Sequence, residues 1–270
     1  MSVSINEKTQ ALKNYIKSLG SVAVAFSGGV DSTLLLKIAH DVLGDKAVAV
    51  TASSASFPER ELNESKNFCV ENKIKQIIIR SDELNIPGFK ENPKNRCYLC
   101  KKDLFTQILT TARENNLAFV IEGSNLDDLG DYRPGLQAIE ELEIKSPLRI
   151  AGFSKADVRQ LSWELGLPTW DKPSFACLAS RFVYGETITE KKLKMVEKAE
   201  ELLINLGFRQ VRVRIHGDIA RIEINPEDFS KIIQDDTRTK IYDALKNFGF
   251  SYVALDLRGY RTGSMNENLK

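Results

Sequence analysis

Residues 22–32 constrain this chain more than any other stretch. Val22, Ala23, Val24, Ala25 and Phe26 form an apolar, strand-like run, Ser27, Gly28 and Gly29 a loop of small residues, and Asp31 opens a helical pattern. Only a strand, a tight loop and a helix in immediate succession satisfy that order. Two glycines let backbone N–H groups approach an anion, and the following helix points the positive end of its dipole at the same place. The loop is therefore a candidate nest for a phosphate group. Its serines, glycines and acid also suit a plain strand-to-helix turn in which the glycines serve packing and Asp31 caps the helix. The Gly-Lys-Ser/Thr ending of the common nucleotide loop and the Gly-x-Gly-x-x-Gly dinucleotide spacing are both absent, so neither a kinase nor a dehydrogenase is favoured.

The chain has 270 residues, 42% of them hydrophobic, enough for one large domain or two modest ones. Its first half alternates segments of helical and strand-like period. Helices are expected at 5–19, 31–43, 58–72, 104–115 and 155–165, and strands at 21–26, 47–52, 75–80 and 118–122. This is the grammar of a parallel sheet wound by helices on both faces. After residue 185 the pattern changes to helix 188–206, strands 211–215 and 220–224, helix 229–248 and strand 252–257. The fold class read from this order is α/β, with domain 1–185 holding the parallel sheet and a smaller α+β domain over 186–270.

The formal net charge is +1, and a chain built to grip tRNA or duplex DNA usually carries a basic excess, so a small-molecule substrate is favoured over nucleic acid. No run of about 20 apolar residues is present to span a bilayer, and residues 1–8 lack the regions of a signal peptide, which predicts a cytoplasmic protein without membrane association. Structural disulfides are not expected there. The four cysteines instead invite a reading as sulfur or metal chemistry. Cys69 falls on an apolar helix position and reads as a core residue. Cys97 and Cys100 are spaced Cys-x-x-Cys, and Cys177 follows in the stretch Lys172 to Arg181. Structural zinc wants four ligands, and the chain has two histidines, His40 and His216, to complete a site. Three thiolates that leave one iron open suit a 4Fe–4S cluster. The spacing leaves open a zinc or redox pair at Cys97 and Cys100 with Cys177 merely buried.

The run Ser27, Gly28, Gly29, Asp31, Ser32 resembles the PP-loop of the ATP pyrophosphatase superfamily, whose members cleave ATP between its α and β phosphates and so adenylate a carboxylate or carbonyl oxygen. By that resemblance Ser27, Gly28, Gly29 and Ser32 cradle pyrophosphate and Asp31 helps hold Mg2+. Over most of its length the chain is similar to the LarE group of ATP-dependent sulfur transferases. The likeness is carried by the PP-loop, Asp131 to Gly135, the cysteine loop running into Ser180, Arg181 and Phe182, the strand Val211 to Arg214, and Leu255 to Arg261. In that group the carboxylates of pyridinium-3,5-biscarboxylic acid mononucleotide are adenylated and converted to thiocarboxylates for the nickel-pincer nucleotide of lactate racemase. Some members sacrifice the sulfur of a single cysteine; others carry three cysteines and work through a 4Fe–4S cluster bearing a transferable sulfide. Cys97, Cys100 and Cys177 match the three-cysteine pattern, so a cluster, an external sulfide donor and a homo-oligomer are what the resemblance implies.

The chemistry agrees with the parts, because a carboxylate is a poor electrophile until AMP becomes its leaving group, and a sulfur nucleophile such as Cys177 then attacks. Ser180 and Arg181 beside that cysteine are candidates to orient substrate, although a lone arginine is as often a packing residue. Arg212 and Arg214 alternate on a strand, so their side chains leave one face roughly 7 Å apart and fit one phosphate monoester. Taken alone, that pair reads more readily as a solvated strand face, and Glu200 as one more exposed helix acid. The resemblance makes Arg212, Arg214 and Glu200 substrate-binding, with an acid near Asp236 beside them, and assigns Asp131 and Arg133 to the nucleotide. Asp127 and Asp128 read as turn formers. The rivals are a tRNA thiolase with the same loop and cysteines, a non-catalytic adenine-nucleotide sensor, and an ammonia-using synthetase.

Overall fold

The computed structural model describes residues 4–130, 134–173 and 176–269. The chain divides into two compact units, one of Met1–Glu83 with Asn95–Phe175, the other of Leu84–Lys94 with Ala176–Lys270.

The first unit runs α1 (Ile5–Leu19), β1 (Val22–Ala25), α2 (Val30–Leu43), β2 (Ala47–Ser53), α3 (Glu59–Glu71), β3 (Gln76–Arg80), α4 (Arg96–Glu114), β4 (Phe119–Ile121), α5 (Gly135–Glu141), α6 (Pro147–Ile150) and α7 (Lys155–Glu164). All four strands are parallel, in the order β3-β2-β1-β4. Successive residues of each strand serve opposite faces, as the two-residue pleat requires. Val22 and Val24 of β1, Ala47 and Ala49 of β2 and Ile121 of β4 join Leu34, Leu35, Phe153 and Leu161 in one core. Ala23, Val50 and Val120 join Phe105, Ile108 and Ile139 in the other. Burial on both sides is why these strands read as apolar runs. This is the expected α/β architecture.

Helix starts follow capping chemistry. Ser4 with Glu7, and Ser154 with Asp157, form reciprocal capping boxes at α1 and α7. The helix expected at 104–115 begins at Arg96 instead, so the Cys-x-x-Cys pair is helical. Helices α5 and α6, too short to show a period, were not foreseen.

The second unit contains α8 (Glu190–Asn205), β5 (Val211–His216), β6 (Ile219–Ile224), α9 (Phe229–Ile232), α10 (Asp235–Phe248) and β7 (Tyr252–Leu255). Strands β5 and β6 pair antiparallel and β7 adds parallel to β6, giving the smaller mixed sheet. The single helix expected over 229–248 is two, because Gln234 takes an extended conformation (φ −59°, ψ 138°) and α10 restarts at Asp235. No described helix is long and apolar enough to cross a membrane.

Candidate functional site

In the first unit the strand order reverses between β1 and β4, and ligands of open parallel sheets gather at the carboxyl ends of the strands at such a point. The Ser27–Ser32 loop leaves β1 there. Gly28 is buried and left-handed (φ +71°), a conformation that glycine adopts without strain. Gly29 caps α2 without a side-chain hydrogen bond, so the helix offers first-turn N–H groups to an anion. The two serines meet, with Oγ to Oγ at 3.1 Å, while Ser32 Oγ donates to the Gly29 carbonyl at 3.2 Å. Thr51 Oγ1 of β2 donates to the Phe26 carbonyl at 2.8 Å and fixes where the loop begins.

Asp31 faces the exit of β4. Asn125 Nδ2 donates to its Oδ1 at 2.9 Å, and the Lys155 ammonium pairs with its Oδ2. The approach is close: a Cβ on Gly123 would lie 3.0 Å from the Ser32 nitrogen. Asp128 accepts from the Asn125 N–H and Asp127 from the Lys155 N–H, so both acids shape the turn that presents Asn125 and Lys155. Buried Glu122 accepts from Ser124 and Ser146 and anchors the same turn. Behind the loop, Lys172 Nζ donates to the Gly28 carbonyl at 3.1 Å and to Glu61 and Glu64 at 2.7 Å each.

Cys97 and Cys100 occupy the first turns of α4, each half-buried, and their three-residue spacing puts both thiols on one face. Arg96, itself buried, donates to Cys97 Sγ at 3.8 Å. Cys69 is a core residue whose thiol burial pushes up to about 12, which leaves it inert at neutral pH. Among the described residues no three or more His, Cys, Asp or Glu side chains assemble as a metal-binding group.

The second unit concentrates buried charge around a thiol-bearing loop. Cys177 is exposed and begins the 3-10 turn Leu178–Arg181. Arg181 is completely buried. Its Nε and Nη2 donate to both oxygens of Glu200, and its Nη1 to the carbonyls of Ala176 and Cys177 and to Ser180 Oγ. Burial opposes both charges, yet the mutual attraction wins and holds the Arg181 guanidinium above, and the Glu200 carboxyl below, its ordinary range. Glu200 also accepts from the Val213 N–H of β5 at 2.8 Å, which ties helix, loop and strand together. On β5, Arg214 donates to the Ser180 carbonyl at 3.1 Å, to Glu223 of β6 and to Ser264. Arg212 lies against the Tyr260 ring at 5.2 Å. Burial, and after it the Arg181 charge, push the Arg212 guanidinium down to about 10.

The expected site residues thus fall into two sets. Ser27, Gly28, Gly29, Asp31 and Ser32 are together in the first unit, as are Cys97 and Cys100 on α4. Cys177, Ser180, Arg181, Glu200 and Arg214 are one hydrogen-bonded group in the second, with Arg212 on the same strand. Arg212, Arg214 and Glu200 are buried rather than solvated. Asp236 is exposed in the first turn of α10. Asp131 and Arg133 lie outside the described residues. Sequence reasoning missed Asn125, Lys155, Lys172 and Glu223. Only Lys155 had a local signal, its place just inside the Ser154 capping box.

Residues 4–96 match the NAD synthase family. Over 263 residues the chain is 40% identical to pyridinium-3,5-bisthiocarboxylic acid mononucleotide synthase of Lactiplantibacillus plantarum, covering 97% of this chain and 95% of that protein. Identity is 44% over 265 residues to an uncharacterized protein of Synechocystis sp., covering 98% of this chain and 99% of that one. A third similar protein, at 33% identity over 262 residues, is an uncharacterized one of Methanocaldococcus jannaschii, covering 95% of this chain and 98% of that one.

Proposed function

The chain belongs to the LarE family, that of pyridinium-3,5-bisthiocarboxylic acid mononucleotide synthase, and from that membership we propose that it is the ATP-dependent enzyme converting the carboxylates of pyridinium-3,5-biscarboxylic acid mononucleotide to thiocarboxylates. The observation that carries the reading is the tie between Ser180 and Arg214: the loop that presents Cys177 is hydrogen-bonded to the strand that presents two guanidinium groups. A thiol and a phosphate-binding pair in one group match a substrate with a reactive carboxylate and a phosphate monoester.

In the first step a carboxylate oxygen attacks the α-phosphorus of ATP, the bond to the β-phosphate oxygen breaks, and pyrophosphate leaves. Ser27, Gly28, Gly29 and Ser32 would hold that pyrophosphate through backbone N–H and hydroxyl groups at the start of α2. Lys155 supplies a positive charge at the same helix start through its pairing with Asp31. The second unit, with domain 186–270 at its centre, would take the mononucleotide, Arg212 and Arg214 binding its phosphate and Glu200 holding the pocket in shape. In the second step sulfur attacks the acyl carbon, the bond to AMP breaks, and AMP departs with the electron pair. Arg181 keeps the Cys177 loop in place for that attack through its bonds to Ala176 and Cys177.

Two groups complete the reading. Asp31 presents a part-exposed carboxylate whose oxygens accept from the Asn125 amide and pair with the Lys155 ammonium; as a hard oxygen donor it suits Mg2+, which would take the place of that pairing and neutralise phosphate charge there. Cys97 and Cys100 offer two soft thiols from one helical face, and by the three-cysteine pattern of the family Cys177 would join them in holding a 4Fe–4S cluster. Such a cluster would supply a bound sulfide as the sulfur nucleophile, replenished by an external donor.

The test is anaerobic incubation of iron- and sulfide-reconstituted protein with Mg-ATP, sulfide and the biscarboxylic mononucleotide, followed by mass analysis. Thiolated mononucleotide together with AMP is expected. If protein with an intact cluster yields none, the assignment fails and thiolation of tRNA becomes the reading to pursue.

A further inference from the structure

Lys172 stands outside every role described so far, yet its ammonium touches the backbone of the phosphate loop across 144 residues of sequence. The loop that delivers it is pinned. Arg159 of α7 donates to the carbonyls of Trp170 and Lys172 at 2.8 and 2.9 Å, and the Lys172 N–H donates to the Thr169 carbonyl. Its side chain is 12% exposed and lies between Glu61, which is 9% exposed, and Glu64. An ammonium has three donors. Three acceptors meet this one, namely the Gly28 carbonyl, Glu61 and Glu64. No donor is left for a phosphate oxygen, so Lys172 acts on the site through Gly28.

The peptide between Gly28 and Gly29 is planar and trans, so its carbonyl and its N–H point in opposite directions. Drawing the Gly28 carbonyl toward Lys172 turns the Gly29 N–H the other way. Gly28 packs on the same side, where a Cβ would meet Ser65 and the Glu61 carbonyl of α3 at 3.5 and 3.6 Å. Without a partner for its carbonyl, a left-handed glycine has many other conformations open to it. The two carboxylates have a second consequence: left unbalanced behind the loop, they would repel a polyphosphate.

We propose that Lys172 is a positioning residue for pyrophosphate binding, holding the Gly28 peptide in its anion-binding orientation while Glu61 and Glu64 fix its ammonium. This rests on reading the loop as the pyrophosphate site of an ATP-using enzyme. Three proteins separate the possibilities: the parent, Lys172→Met, and Lys172→Met combined with Glu61→Gln and Glu64→Gln, which removes the lysine and both carboxylate charges together. Affinities for magnesium pyrophosphate and for AMP are measured by calorimetry, and the melting temperature of each protein is recorded. Both variants should bind pyrophosphate about tenfold or more weakly, the scale of one charge-assisted hydrogen bond lost from a binding surface. AMP affinity should stay within about twofold, and the triple variant should melt near the parent. Should the triple variant recover pyrophosphate affinity to within about twofold of the parent, Lys172 only balances charge and the positioning role is overturned. Equal losses for AMP and pyrophosphate would overturn it too, since they would report a general collapse of the site. A parent that does not bind magnesium pyrophosphate overturns the reading of the loop and this inference with it.

Discussion

The guanidinium of Arg181 and the carboxylate of Glu200 meet face to face, with two hydrogen bonds of 2.8 Å, and neither is more than marginally exposed. Taking both ions out of water is costly, and further bonds offset that cost, from Arg181 to Ala176, Cys177 and Ser180 and from the Val213 N–H to Glu200. Glu200→Ala would leave a buried guanidinium without its counter-charge. The expected loss is about 3–5 kcal/mol of unfolding free energy, read from urea denaturation. A loss under about 1 kcal/mol would mean that water reaches the pair.

The same pair sets an acid limit. The Glu200 carboxyl in the folded chain lies below its ordinary value of 4.5, so its contribution is complete above that value and is lost as pH falls through the lowered one. Glu200→Gln should therefore be less stable than the parent at neutral pH and approach it in acid, where the parent loses its advantage. Melting curves taken from neutral pH downward check this; a constant gap at every pH would refute it.

Gly28 and Gly29 are adjacent and predict opposite outcomes. At Gly28, φ is +71°, and alanine is strained there whatever space it finds. Gly29 has φ −80°, and a Cβ would meet only Ser27 Oγ at 3.5 Å. Gly28→Ala should lose about 1 kcal/mol of stability and most pyrophosphate exchange. Gly29→Ala should fold like the parent. Exchange of labelled pyrophosphate into ATP, assayed for both, would refute the geometry if the two variants behaved alike.

The Ser27–Ser32 loop and the sheet around it were legible because their determinants are local. Apolar runs of strand length, a pair of glycines and a helix-opening acid all lie within eleven residues of one another. The partners of that loop were not legible. Asn125, Lys155 and Lys172 reach Asp31 or Gly28 from 94, 124 and 144 residues away, and no periodicity announces such a contact. Burial was the other blind spot. Glu200 and Arg212 look like solvent-facing charges by composition, and only packing of α8 against the mixed sheet puts them in the interior beside opposite charge. The start of α4 was missed because two cysteines carry little helical signal.

Arg212 offers the most direct probe of substrate. Its guanidinium is held down to about 10 by burial and by the charge of Arg181, so carrying the positive charge costs more here than on an exposed arginine. A phosphate bound beside it would relieve that cost. Arg212→Met should therefore raise KM for the mononucleotide by about a hundredfold with a smaller change in kcat, the pattern of a lost binding contact. The parent should in turn lose substrate affinity as pH rises through 10, earlier than an ordinary arginine at 12.5 would allow. Binding of the mononucleotide followed by calorimetry from neutral pH to above 10 reads this directly. Affinity that holds steady through that range in the parent would show that Arg212 keeps its charge there despite its burial. A KM unmoved in Arg212→Met would show that the phosphate does not depend on Arg212, and the phosphate contact would then fall to Arg214, the one other guanidinium on β5.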